Sequence, residues 1–150
     1  MQIRLREIRE NLEITQKTVA KQLKLSPTIY NYFENKERII PLKHLNNFCN
    51  LYNVSADYIL GLSNINIYPS KKCKLNKKLI GSRVKEIRKK NNHTQQDLAN
   101  LFNTTQSTIS AYESGKTIIL TAFLYTMCKE FNVSIDYIMG RRNTINIIIE

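Results

Sequence analysis

Gln95 and Gln106 each follow a threonine, and that pairing sets an amide side chain where a helix can hold an anion. Thr94 and Thr105 are N-cap residues, so each glutamine falls in the first turn of a helix. Unpaired N–H groups and about half a positive charge gather there and favour an anion such as phosphate. After Gln106 come Ser107, Ser110 and Ala111 on the outward side of the same helix, with Lys116 just beyond it. In a major groove a glutamine amide can bond adenine N6 and N7 together, serine can meet a base edge, and alanine can touch a thymine methyl.

These residues stand on a pattern that is written twice. An ungapped offset of 79 residues aligns Ile3 to Asn64 with the second half, and 20 of 62 positions are identical. Gln16 falls on Gln95, Arg9 on Arg88, Glu34 on Glu113, and Asp57-Tyr58-Ile59 on Asp136-Tyr137-Ile138. The counterparts of Gln106, Ser107, Ser110 and Ala111 are Pro27, Thr28, Asn31 and Tyr32, with Lys36 and Arg38 beyond. Proline reads no base, so the first copy offers weaker chemistry. Two copies of a long period mean two small domains, since a solenoid needs at least about three repeats.

The chain has 150 residues, with 23 Lys+Arg against 12 Asp+Glu, a net charge of +11. Residues 1–64 and 80–150 each carry nine basic and six acidic side chains. The rest of the excess is Lys71, Lys72, Lys74, Lys77 and Lys78 in the connector, with no acid among residues 65–79. Such a balance favours a polyanion; a lysine-rich connector that only keeps the chain soluble fits the charge equally well. Cys49 and Cys128 fall on an apolar helical stripe and read as core, while Cys73 stands alone. The three cysteines and two histidines show no metal-ligand spacing, and no metal or other cofactor is expected. Unpaired cysteines suit a reducing cytoplasm. No apolar run approaches the roughly 18 residues of a membrane span, so no membrane association is expected. No nucleophile–base set or phosphate loop is present, and units of about 60 residues sit near the lower limit for one core. The chain therefore does not read as an enzyme, and no small-molecule ligand is evident.

Five short helices position the chemistry in each copy. The first has Leu5, Ile8 and Leu12 on one face, or Ile80, Val84 and Ile87 over about 79–91. The second starts after Thr15 or Thr94, and Thr94 with Asp97 forms a capping box. The third starts after Ser26 or Thr105, with Pro27 at the first helical position. Gly115 suits a left-handed C-terminal cap; Lys36 replaces it in copy one, so Asn35 is expected to take that conformation. The fourth carries Leu45, Phe48, Cys49 and Tyr52, or Leu124, Met127, Cys128 and Phe131. The fifth starts at Ser55 or Ser134. Residues 65–68 and 145–149 alternate like short strands, pairing with each other or across a homodimer, or else remain loose tails.

Copy two, from Thr94-Gln95-Gln96-Asp97-Leu98-Ala99 to Thr104-Thr105-Gln106-Ser107-Thr108-Ile109-Ser110-Ala111-Tyr112-Glu113-Ser114-Gly115-Lys116, strongly resembles the phage repressor/Cro-type (Xre-like) helix-turn-helix family. Copy one resembles it through Thr15-Gln16, Val19-Ala20, Ser26-Pro27-Thr28 and Phe33-Glu34-Asn35-Lys36, without the turn glycine. The resemblance implies an all-α fold of two tandem five-helix lambda-repressor-like domains. Their expected bounds are residues 1–64 and 79–143, joined by a basic linker over 65–78 and followed by a tail over 144–150.

It also implies that the third helix of each domain enters the major groove of double-stranded DNA. Gln16 and Gln95 would clamp phosphate. Pro27, Thr28, Asn31, Tyr32, Thr105, Gln106, Ser107, Ser110 and Ala111 would lie against the groove, with Lys36, Arg38 and Lys116 on the backbone. Ion pairs Arg9–Glu34 and Arg88–Glu113 would tie the helices together and aim each arginine at a phosphate. The stretch over residues 65–79 reaches roughly 50 Å at about 3.3 Å per residue, so both heads could share one duplex as separate bodies on a tether. The leading expectation is a transcription regulator, most simply a repressor; the alternative is an antitoxin or interaction module whose domains chiefly bind a protein. Homodimerisation through the fifth helix or the tails is allowed but not required.

Overall fold

A computed structural model describes residues 1–66 and 71–148. Among them are ten α-helices. Copy one holds α1 (Leu5–Asn11), α2 (Gln16–Gln22), α3 (Pro27–Glu34), α4 (Leu42–Tyr52) and α5 (Ala56–Ile59). Copy two holds α6 (Lys77–Lys90), α7 (Gln95–Phe102), α8 (Gln106–Glu113), α9 (Thr121–Phe131) and α10 (Ile135–Ile138). The chain is all-α, with two tandem helix-turn-helix units.

Local chemistry starts these helices. The hydroxyls of Thr15, Ser26 and Ser55 each accept an N–H from the first turn that follows, as do those of Thr94, Thr105 and Ser134. Asp97 returns a bond to the Thr94 N–H at 2.7 Å and completes the capping box. Helix α6 begins at Lys77, two residues before the sequence suggested, because the Asn76 side chain caps it. The helix lies on α8 at Gly81, where a Cβ would stand 2.3 Å from the Tyr112 carbonyl oxygen.

Each copy buries one stripe per helix. Leu5, Val19, Tyr30, Leu45, Phe48 and Cys49 are fully buried in the first, and Val84, Leu98, Ile109, Leu124, Met127 and Cys128 in the second. The stripe with Cys49 and Cys128 is core, as expected, and burial pushes both thiols well above their ordinary pKa. Leu12 departs from expectation: it lies past the end of α1 and is exposed. Lys36, not Asn35, takes the left-handed conformation, with φ 63° against −83°. The bonds Lys36 N–H to Phe33 C=O and Glu37 N–H to Tyr32 C=O close the turn at that residue, whatever its type.

The copies are docked on each other, not strung apart. The Asp57 carboxylate accepts the Ile135 N–H at 2.7 Å and the Ser134 hydroxyl at 2.5 Å, both at the start of α10. Asp136 accepts the Ala56 N–H at 3.0 Å and the Asp57 N–H at 2.8 Å at the start of α5. All of these groups are buried. Thr121 Oγ1 donates to the Ile40 carbonyl at 2.7 Å. Buried Arg141 reaches from copy two to Asn46 at 3.0 Å and Asn50 at 2.6 Å, and pairs with Asp136 at 3.1 Å. Asn46 and Asn50 each donate at 2.8 Å to the Cys73 carbonyl, and the Lys71 N–H reaches the Arg141 carbonyl at 2.9 Å. The described end of the connector is therefore fastened at this junction, which corrects the expectation of a free tether.

Each tail bonds its own copy, and the second also reaches the first. The Ser55 N–H donates to Asn66 C=O at 3.1 Å and the Ser134 N–H to Ile145 C=O at 2.8 Å; Val133 and Asn146 form a single antiparallel bridge. The Ser63 hydroxyl also bonds the Ile148 carbonyl. No strand longer than that bridge occurs among the described residues. Residues 67–70 and 149–150, with part of each expected strand, lie outside them.

Candidate nucleic-acid interface

Ion pairs, part-buried in the first copy and buried in the second, hold α1 to α3 and α6 to α8. Arg9 Nε meets Glu34 Oε1 at 2.6 Å and Nη2 meets Oε2 at 3.2 Å. Arg88 makes the same fork with Glu113 at 2.5 and 3.0 Å. The remaining Nη1 donates to the Ile14 carbonyl at 3.1 Å, or to His93 at 2.7 Å. Each guanidinium is thus turned inward by protein acceptors, so its direct contribution is to brace the helices. Burial acts most strongly and pushes the Glu34 pKa up, but opposing effects, led by the hydrogen bonds from Arg9 and Gln16, leave the carboxyl below its ordinary value. The bond to Glu34 raises the pKa of Arg9, and that to Glu113 raises the pKa of Arg88.

The glutamines of α2 and α7 stand on these pairs. Gln16 Nε2 donates to Glu34 at 2.7 Å and to Asn31 Oδ1 at 3.0 Å, which engages both amide hydrogens. Gln95 Nε2 donates to Glu113 at 2.8 Å, and its Oε1 accepts from Gln106 Nε2 at 2.8 Å. Among the described residues, the second Gln95 amide hydrogen and the Gln106 oxygen have no hydrogen-bond partner.

The other expected contact residues divide by exposure. Pro27, Thr28, Gln106, Ser107 and Ser110 are exposed at the starts and outer faces of α3 and α8; Asn31, Tyr32 and Ala111 are half-buried. Thr105 is exposed, but its hydroxyl accepts the Thr108 N–H, so it serves as the cap of α8. Lys36, Arg38 and Lys116 are exposed after the two helices, and the Arg38 guanidinium lies 4.8 Å from the Tyr32 ring centre.

Four participants escaped the sequence reading. Arg6 approaches Glu34 at 3.5 Å and bonds Asn35; the repeat, which aligns it with Lys85, was the available signal. Tyr30 is fully buried beside Glu34, and burial, then the Glu34 charge, raises its phenol pKa. Asp57 and Asp136, part of the three-residue run identical between copies, hold the inter-copy junction. Among the described residues no three His, Cys, Asp or Glu side chains gather as a metal site, and no helix is long and apolar enough to cross a membrane.

The profile of the helix-turn-helix domain family matches residues 3–65 and again residues 81–143. Among curated proteins, the antitoxin PezA of Streptococcus pneumoniae is 31% identical over 68 residues. The aligned stretch is 45% of this chain and 43% of that relative, so the chain matches less than half of the relative's length.

Proposed function

Because the chain belongs to the helix-turn-helix domain family along both halves, we propose that it is a sequence-specific, double-stranded-DNA-binding transcription regulator, acting in the cytoplasm as a repressor that occupies its site. Helices α3 and α8 enter the major groove. The observation that carries this reading is the Gln95–Gln106 bond at 2.8 Å. It fixes one polar side chain at the α8 N-terminus by another, leaving the Gln106 oxygen and a Gln95 N–H outward. Gln106 bonds an adenine edge, Ser107 and Ser110 touch neighbouring edges, and Ala111 meets a thymine methyl. The first turn of α7, with Gln95, holds a phosphate, and Lys116 contacts the backbone.

Copy one grips more than it reads. Gln16 must release Asn31 or Glu34 to bind a phosphate, and Pro27 offers no donor to a base. Thr28, Lys36 and Arg38 supply backbone contacts, while Asn31 and Tyr32 supply what base contact there is. The ion pairs Arg9–Glu34 and Arg88–Glu113 orient the glutamines that meet phosphate.

Selection of bound sequences from random duplexes tests the proposal. Enriched sites are expected, with Gln106→Ala relaxing positions in them; an unenriched pool refutes it. The relative's name supports a second reading, an antitoxin-like module that chiefly binds a protein. In that case Gln106→Ala and Ser107→Ala leave partner capture unchanged and no duplex competes.

A further inference from the structure

The two copies meet in a reciprocal way. Asp57 of copy one caps α10, and its counterpart Asp136 caps α5. When residue i of one copy meets j of the other, and the counterpart of i meets the counterpart of j, the contact is isologous and the copies are related by a two-fold axis. A simple translation along the chain cannot produce such exchange.

That axis lies beside the groove-facing helices. Ile40, six residues past the end of α3, accepts the Thr121 hydroxyl across the junction. Ile39, Ile40 and Pro41 line an apolar cleft there with Leu120, Thr121 and Ala122, at the start of α9 where the segment from α8 ends. The segments leaving α3 and α8 therefore meet at the axis, and the two helices flank it in opposed senses. Duplex DNA has its own two-fold axes across the helix, and paired heads related by one read inverted half-sites.

The periphery of the junction is not symmetric. Arg141, fully buried among Asn46, Asn50 and Asp136, aligns with Leu62; Thr121 aligns with Leu42. A pair of first copies from separate chains would lack Arg141 and Thr121, and a pair of second copies would lack Asn46 and Asn50, whose counterparts are Tyr125 and Lys129. Copy one prefers copy two.

We infer that a single chain binds a site of two unlike half-sites in inverted orientation at one fixed spacing, without a second chain. This rests on the DNA-binding reading above and adds the arrangement of the site. The half-sites differ because Pro27, Thr28, Asn31 and Tyr32 face one and Gln106, Ser107, Ser110 and Ala111 the other.

The test uses the full chain. Duplexes are selected from a random pool, and the mass of the complex on the winning duplex is measured by sedimentation. Each winner is then rebuilt with one half-site reversed, or with the halves separated by about half a helical turn, ~5 base pairs. The expected result is one chain per duplex and a loss of roughly 100-fold or more in affinity for either rebuilt site, since the second head no longer engages. Reselection with Gln106→Ala should relax positions in one half only. Two chains per duplex, equal binding to the direct repeat, or tolerance of the altered spacing overturns the inference while leaving DNA binding intact. If no duplex is enriched, the DNA-binding reading falls and the inference with it.

Discussion

Asp57 and Asp136 occupy the same place in the two copies, and each carboxylate caps the short helix that carries the other. Four buried bonds result, each accepted by a charged oxygen in a site shielded from water. Charge-assisted bonds of this kind are about twice as strong as neutral ones.

Replacing Asp136 by alanine strands the Ala56 and Asp57 N–H groups and leaves Arg141 without its carboxylate. The expected loss of stability is about 3–5 kcal/mol, the cost of breaking a buried ion pair. Asp57→Ala should cost about 1–3 kcal/mol through the stranded Ile135 N–H. Because the two sites share one junction, the double variant should lose less than the sum. Urea unfolding followed by circular dichroism checks this; unchanged stability in all three variants would show that the junction carries none, and strictly additive losses that the two caps act independently.

Bracing and binding separate by residue. Arg88→Ala leaves Glu113 buried and unpaired and is expected to cost about 3–5 kcal/mol of stability. Gln106→Ala, at an exposed position, should shift stability by no more than about 0.5 kcal/mol, yet cost about 1–3 kcal/mol in binding at the affected base pair. Melting curves beside titrations of the selected duplex distinguish the two; if Gln106→Ala binds as the parent does, α8 does not read through that side chain.

Lys36 pays the steric penalty of a left-handed residue with a Cβ, roughly 1–2 kcal/mol, whereas its counterpart Gly115 does not. Glycine adds about 0.5–1 kcal/mol of chain entropy to the unfolded state. Lys36→Gly should therefore stabilise by up to about 1 kcal/mol, visible as a raised melting temperature. Gly115→Ala should destabilise, both through its φ of 75° and because the new Cβ would stand 2.9 Å from Lys78 Cα.

The Glu34 carboxyl is held below its ordinary value in the folded chain. Its charged form thus favours folding. That contribution is complete above the unfolded carboxylate range, about pH 4.3, and is lost as pH falls through the lower folded value. Glu34→Gln removes this term, so the variant should be less stable near neutrality and lose less on acidification than the parent. A melting series from neutral pH to about pH 3 decides it; parallel curves would exclude a Glu34 contribution.

With both heads engaged, log affinity should fall with log salt at a slope of about −5 to −9. Fluorescence anisotropy across a salt series measures it, and a slope near zero would rule out phosphate contact as the source of affinity.

How much was legible depended on the range of the forces involved. The Thr94–Asp97 box is visible in sequence because its atoms are three residues apart, and the Arg–Glu pairs because both partners recur in both copies. The Lys36 conformation was not, since residue type favours Asn35 and only the hydrogen-bonded turn overrules it. The Gln16–Asn31 bond was hidden for a similar reason: it depends on the crossing of α2 and α3, whereas Gln95 meets Gln106 instead. The junction was the largest omission. Asp57 and Asp136 stood out only as identical positions of the repeat, and nothing local in either copy indicates that each serves the other.

A junction closed within one polypeptide does not come apart on dilution. Two subunits must first find each other, so their grip on a target weakens with the square of their scarcity. Here the Asp57–Asp136 exchange is present in every molecule, and occupancy should rise in simple proportion to abundance. Even a few molecules per cell would arrive fully assembled.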